Sequence, residues 1–168
     1  LFSAIKSLGL KNKSKIVVPA VSFSATISAV VAANYTPVIC DIDESGTMCP
    51  KFLRKLFKKQ KIQAVIFVQW CGNQGNINEI ARVCKLNKKK LIEDSSQATF
   101  TKTEKNKFNG THGDIGIFSF NEPKNLSSGE GGMAITNNQT IAKSMRLTRN
   151  HGEAYQLFKD YIKFKKYF

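Results

Sequence analysis

Short apolar runs rich in β-branched residues alternate along the chain with stretches in which apolar positions return every third or fourth residue. Lys15–Pro19 (KIVVP) reads as a buried strand and Ser24–Asn34 (SATISAVVAAN) as an Ala-rich helix. Pro37–Asp41 (PVICD) predicts a strand ending in an acidic turn. Pro50 stands where a helix would begin, and the following KFLRKLFKKQ puts Phe52, Leu53, Leu56 and Phe57 on one face. Ala64–Gln69 (AVIFVQ) is the strongest strand signal. After a polar turn at Gly72–Asn76, INEIARVCKL places Ile77, Ile80, Ala81 and Cys84 at helical spacing. Leu91–Asp94, Ile115–Phe120 and Gly132–Thr136 predict further strands, and Asn138–Leu147 a last helix.

Strands and helices alternating through short loops predict an α/β fold with a mostly parallel sheet between helical layers, a three-layer α/β/α arrangement. Ligands of such sheets bind beyond the carboxyl ends of the strands. That rule directs attention to Phe23, Asp41, Trp70, Asp94 and the stretch beyond Phe120. A chain of 168 residues, 42% hydrophobic, suits one such domain. No apolar run approaches the ~20 residues that cross a bilayer, and LFSAIKSLGLKNK at the start does not read as a secretory signal. The tail Glu153–Phe168 differs in character, with Tyr155, Phe158, Tyr161, Phe164 and Tyr167 recurring every third residue among lysines. It is expected to pack on a neighbouring part of the fold, so residues 1–152 are taken as the domain and 153–168 as a basic aromatic continuation.

Charge changes the picture only a little. Twenty-six Lys and Arg against twelve Asp and Glu give a net charge of +14, which favours a polyanionic partner through counterion release. Only Arg54, Arg82, Arg146 and Arg149 are arginines, however, and base reading and buried phosphate clamps favour arginine over lysine. Nucleic acid is therefore not the expected partner. Cys40, Cys49, Cys71 and Cys84 show neither C-x-x-C nor zinc spacing, and read as free thiols in a reducing, cytoplasmic setting. No metal site is expected: His112 and His151 read as isolated loop histidines, and Asp41 with Asp43 as a strand-end turn rather than a magnesium pair.

Two segments carry candidate chemistry. In Ile92–Ala98 (IEDSSQA) an acidic pair ends an apolar strand and Gln97 follows; in Gly113–Gly132 (GDIGIFSFNEPKNLSSGEGG) a buried strand delivers Ser119, and a polar turn then presents Lys124. Together with VVPAVSFSAT, TPVICDID, the Trp70–Gln74 turn and RLTRNHG, these segments resemble the large domain of the DegT/DnrJ/EryC1/StrS family, pyridoxal-phosphate-dependent sugar aminotransferases of the aspartate aminotransferase fold (fold type I). The resemblance runs from about Lys15 to Gly152. It implies that Lys124 is the lysine bonded to pyridoxal 5'-phosphate, that Asp94 faces the pyridine nitrogen and that Gln97 lies near the phenolic oxygen. It further implies that Ser119 holds the phosphate and that Phe23 stacks on the ring.

Those residue types suit that chemistry. A Schiff base needs a primary amine, and a carboxylate beside the ring nitrogen keeps it protonated and electron-withdrawing. A hydroxyl with helix-start N–H groups can hold a phosphate, and a flat aromatic ring fixes the plane of the pyridine. By resemblance the substrates are an amino-acid donor, by family habit glutamate, and a keto-sugar carried on a nucleotide, in amino-sugar or surface-polysaccharide synthesis by a homodimer. A side branch of the family that replaces the lysine with histidine performs dehydration, and Lys124 argues against it. The glycines around Glu130 are explained by close backbone packing beside the lysine, while Trp70 and Asn73 lie where substrate could pass. The family's Gly-Thr turn ahead of Leu1 and its small C-terminal domain are not found, so the sequence is expected to be an internal part of a longer product. The alternative is a non-catalytic fragment, or a basic binding module whose lysines in KFLRKLFKKQK and the tail engage nucleic acid or an anionic membrane.

Overall fold

The computed structural model describes residues 1–150; His151 and the Glu153–Phe168 tail lie outside the described residues. The elements run α1 (Phe2–Ser7), β1 (Lys15–Pro19), α2 (Ser24–Ala32), β2 (Thr36–Cys40), α3 (Pro50–Lys59), β3 (Ile62–Val68), α4 (Ile77–Leu86), β4 (Lys90–Asp94), β5 (Ile115–Ser119), β6 (Gly132–Ile135) and α5 (Gln139–Arg149). A single 3-10 turn, Trp70–Gly72, follows β3.

The sheet order is β2-β1-β3-β4-β5-β6, parallel throughout except that β6 returns antiparallel to β5. The fold is thus the mostly parallel α/β/α sandwich that the apolar pattern implies. Alternation along the strands sorts side chains into two cores. Ile16 and Val18 of β1 with Ala64, Ile66 and Val68 of β3 pack under α1, α2 and α5. Val17, Val65, Phe67 and Leu91 pack under α3 and α4 with Leu53, Ile77, Ile80 and Cys84. Because both faces of the central strands are covered, β3 reads from Ala64 to Val68 as an unbroken apolar run rather than an alternating one. At Gln63 the register with β1 slips by one residue, and the Gln63 side-chain oxygen accepts the Lys15 N–H at 2.8 Å in place of the lost ladder bond.

Local chemistry explains where elements stop. The pattern predicts a helix to Asn34, but α2 ends at Ala32 because Asn34 adopts φ 65°. The N–H groups of Asn34 and Tyr35 return to the carbonyls of Val31 and Val30, which closes the helix end in a Schellman motif. α3 starts on Pro50 as expected, yet of its predicted apolar face only Leu53 is fully buried and Phe52 is 38% exposed. The Phe52 ring instead lies under the Lys55 ammonium, 5.0 Å from its centroid. α1 has no counterpart in the sequence reading: six residues leave too short a period to recognise, although Gly9 at φ 60° marks its end.

One buried charge joins the strands to the loop before β5. Glu93, 0% exposed in the middle of the fold, accepts hydrogen bonds from the backbone N–H groups of Gly110 (3.0 Å), Gly113 (2.6 Å) and His112, from the Gln69 amide (3.3 Å) and from His112 Nδ1 (3.1 Å). His112 is therefore not a loose loop histidine; its side chain is 4% exposed and its Nε2 has no partner among the described residues. Gln69 in turn accepts from Ser95 Oγ at 2.8 Å. β5 lies hard against the same loop, since a Cβ at Gly116 would sit 2.0 Å from the Gly110 carbonyl oxygen.

Glu93→Ala strands the donors around a buried void and is expected to destabilise the protein by about 3–5 kcal/mol, read as a lowered urea midpoint with unchanged slope. All four thiols are free, and burial, aided by Cys49 and Asp41 for Cys40 and by Asp114 for Cys84, pushes both of those thiols up to about 12. A raised folded-state value means that the folded protein keeps protons which the unfolded chain releases. The stability these thiols contribute is therefore complete below the ordinary value of 9.0 and lost as pH rises from there toward about 12. Alkaline denaturation curves test this, and alkylation near neutral pH followed by peptide mapping should mark the exposed Cys71 well before Cys40 or Cys84.

Candidate active site

β1, β3, β4 and β5 are parallel, so their carboxyl ends open on one side of the sheet. The chain leaves β1 toward β2 on one side and resumes at β3 on the other, which makes the β1/β3 boundary a topological switch point. A cavity of about 630 Å³ lies at these ends, and its wall includes Phe23, Asp94, Gln97, Ser119 and Lys124. The five residues that the family resemblance implies for the site are thus brought to one place. Volume alone does not single it out: a cavity of about 660 Å³ beside α1, β6 and α5 has Arg146 and Arg149 in its wall but no carboxylate.

Each side chain is set by its element. Asp94 is the last residue of β4, and its Oδ1 accepts from the N–H of Ser96 at 3.2 Å and from the Ser96 hydroxyl at 2.5 Å. Its other oxygen has no hydrogen-bond partner among the described residues. Gln97 Oε1 accepts the Cys71 N–H at 2.7 Å, which leaves the amide NH2 as the free end of that side chain. The Trp70–Gly72 turn can pack this closely because Cys71 and Gly72 take φ 53° and 78°, and a Cβ on Gly72 would lie 3.0 Å from the Gln97 carbonyl oxygen.

Ser119 ends β5 opposite Gly132 of the antiparallel β6, so the one reversed strand forms part of the cavity wall. Lys124 closes a turn by donating its N–H to the Asn121 carbonyl at 3.0 Å. The half-buried lysine has no side-chain hydrogen bond or ion pair among the described residues. Phe23 is the N-cap of α2 and is 69% exposed, with Ala25 and Thr26 of the first helical turn also in the wall. A second cavity of about 400 Å³ shares Phe23, Ser96, Gln97 and Lys124, and adds Cys71 and Asn125.

Other sequence candidates separate. Trp70 lines the larger cavity, whereas Asn73 is spent on a turn, donating to the Ser45 carbonyl at 2.7 Å and accepting from Gly75 N–H at 2.9 Å. Asp43 caps its own turn through Ser45 and receives the Asn76 amide at 2.8 Å, as a strand-end turn should. Of the glycines near Lys124, Gly131 and Gly132 are closely packed, with Cβ atoms that would fall 2.7 Å from Ser128 Oγ and 3.1 Å from the Phe118 carbonyl oxygen. Gly129 has open space around it and serves its φ of 79° instead. The sequence reading missed Ser96; its signal was the Asp-x-Ser spacing, which favours a side chain folding back on the residue two positions on.

The model of the DegT/DnrJ/EryC1/StrS aminotransferase family matches residues 1–165, a wider span than the motifs alone delimit. The spore coat polysaccharide biosynthesis protein SpsC of Bacillus subtilis is 30% identical over 90% of this chain and 39% of its own length. Among solved structures, an aminotransferase from Psychrobacter cryohalolentis superposes with a TM-score of 0.85 at 29% identity, over 95% of this chain and 41% of that one. The E. coli GDP-4-keto-6-deoxy-D-mannose-3-dehydratase with bound hydrated PLP superposes with a TM-score of 0.85 at 27% identity, over 94% of this chain and 42% of that one. The chain thus spans about two fifths of the length of these relatives. With the family model matched along nearly its whole length, the chain belongs to the DegT/DnrJ/EryC1/StrS aminotransferase family.

Proposed function

We propose that this protein is a pyridoxal-phosphate-dependent aminotransferase that moves an amino group from an amino-acid donor, glutamate by family habit, to a keto-sugar carried on a nucleotide. The observation that carries the reading is the meeting of an unpaired amine, a carboxylate with one open oxygen, an amide, a hydroxyl and an aromatic ring around a single cavity of about 630 Å³. That set fits the cofactor group by group. Residues 1–152 are read as part of the cofactor-binding large domain, acting in a cytoplasmic homodimer, with 153–168 continuing beyond it. Among the described residues no helix is long and apolar enough to cross a membrane.

When bound, pyridoxal phosphate supplies an electrophilic carbon for amines and a ring that withdraws electrons from a breaking Cα–H bond. Lys124 would be the covalent attachment point, and its Nζ, once displaced by the donor amine, would carry a proton to and from the α-carbon of the donor. Asp94 would hold a proton at the ring nitrogen through the oxygen that Ser96 leaves open. Gln97, its carbonyl end occupied by Cys71, would offer its NH2 to the phenolic oxygen. The Ser119 hydroxyl would hold the phosphate, and Phe23 would lie along one face of the ring. The neighbouring cavity of about 400 Å³ reaches Lys124 and gives a substrate access to the amine. A keto-sugar nucleotide appears in the name of the E. coli relative and polysaccharide synthesis in that of SpsC, which supports the substrate class. A lysine at position 124 supports amino transfer over dehydration.

Borohydride treatment of the full-length protein loaded with pyridoxal phosphate should fix the cofactor's mass on the peptide that contains Lys124. Lys124→Ala should abolish both that adduct and transamination, by at least about a thousandfold in rate for loss of a group that is both anchor and acid–base. Transamination at the unsubstituted rate by Lys124→Ala would overturn the assignment.

A further inference from the structure

Adjacent serines follow Asp94, and the fold gives them opposite tasks. Ser95 is fully buried and its hydroxyl donates to Gln69 at 2.8 Å, inside the network around Glu93. Ser96 is half-buried, lies in the wall of both cavities, and spends its hydroxyl on Asp94 Oδ1 at 2.5 Å. The backbone N–H of Ser96 reaches the same oxygen at 3.2 Å, a bond that any residue at this position would supply. Only a hydroxyl side chain supplies the second, shorter one. A carboxylate at a strand end can turn about its last torsion, which is broad and roughly two-fold for Asp. Two donors on a single oxygen from one neighbouring residue fix the carboxylate plane and leave the second oxygen open.

Resting on the reading of Asp94 given above, we propose that Ser96 is a positioning residue: its hydroxyl fixes the Asp94 carboxylate so that the free oxygen is preset for the ring nitrogen of the cofactor. Without the hydroxyl, Asp94 keeps its charge and its backbone bond but samples other orientations. The cofactor must then restrict that freedom on binding, which weakens binding without touching the scaffold.

The test is a double-substitution cycle on cofactor affinity in the full-length apoprotein, with pyridoxal phosphate titrated into the millimolar range and binding read by absorbance. Ser96→Ala is expected to weaken binding about tenfold, near the upper end of what ordering one side chain on binding costs. Ser96→Thr, which keeps the hydroxyl, should stay within about threefold of the parent, and the apoprotein melting temperature should not move with Ser96→Ala. In an Asp94→Ala background, Ser96→Ala should add nothing. Unchanged affinity in Ser96→Ala overturns the inference, as does a tenfold loss that persists without Asp94, which would make Ser96 a direct ligand. A fall in apoprotein melting temperature matching the affinity loss would mark a structural serine and overturn it too. Failure of the unsubstituted protein to bind pyridoxal phosphate would instead sink the proposed function itself. Normal affinity in Asp94→Ala would remove the role of Asp94, and this inference with it, while leaving the cofactor reading intact.

Discussion

The fold is organised around a carboxylate that never meets solvent. Glu93 is a charge in the middle of an α/β sandwich, and an isolated carboxylate there would cost several kcal/mol. It is tolerated because backbone N–H groups from Gly110, His112 and Gly113, an amide from Gln69 and a ring nitrogen from His112 all converge on it. Those donors come from the end of β3 and from the loop that feeds β5, so one side chain on β4 sets the relative position of neighbouring strands. Asp94 is its direct successor in the chain and Ser119 lies at the far end of the strand that the anchored loop begins. The geometry of the cavity is inherited from this anchor.

Parallel strands supply the rest of the logic. Each delivers its last residue to the same rim, and the switch between β1 and β3 opens the space that those residues surround. The single antiparallel strand, β6, brings Gly132 beside Ser119 and lets the glycine-rich segment close down near Lys124. An amine, a carboxylate and a hydroxyl are thereby held by the end of β4 and by the β5–β6 segment of one sheet.

Much of this was legible in the sequence because buried parallel strands write themselves as apolar runs. Lys15–Pro19 and the core of β3 needed no more than that, and the rule of strand ends pointed straight at Phe23 and Asp94. Where the reading fell short, the deciding interaction was either very local or very remote. The end of α2 turned on the left-handed conformation of Asn34, and the orientation of Phe52 on a lysine above its ring. α1 was too short to display a period. His112 read as a loop residue because its partner lies 19 positions earlier, and no spacing rule connects the two. The same blindness hid Gln69 and Ser95, whose tasks exist only after β3 and β4 are side by side. In the site, residue types were readable but hydrogen-bond assignments were not: nothing in IEDSSQA says which serine faces inward.

The two cores divide the molecule unevenly in chemical terms. Lys51, Lys55, Lys58 and Lys59 ride on α3, and Lys85, Lys88 and Lys89 on α4 or just past it, so both helices over the Val17 and Phe67 side are heavily basic. The α1, α2 and α5 side, by contrast, contributes Phe23, Ala25 and Thr26 to the cavity rim. A sheet with both faces covered therefore leaves the outer faces of its helices free to carry charge without disturbing either core. The basic side chains of α3 and α4 accordingly form no part of the wall of the cavity at the strand ends.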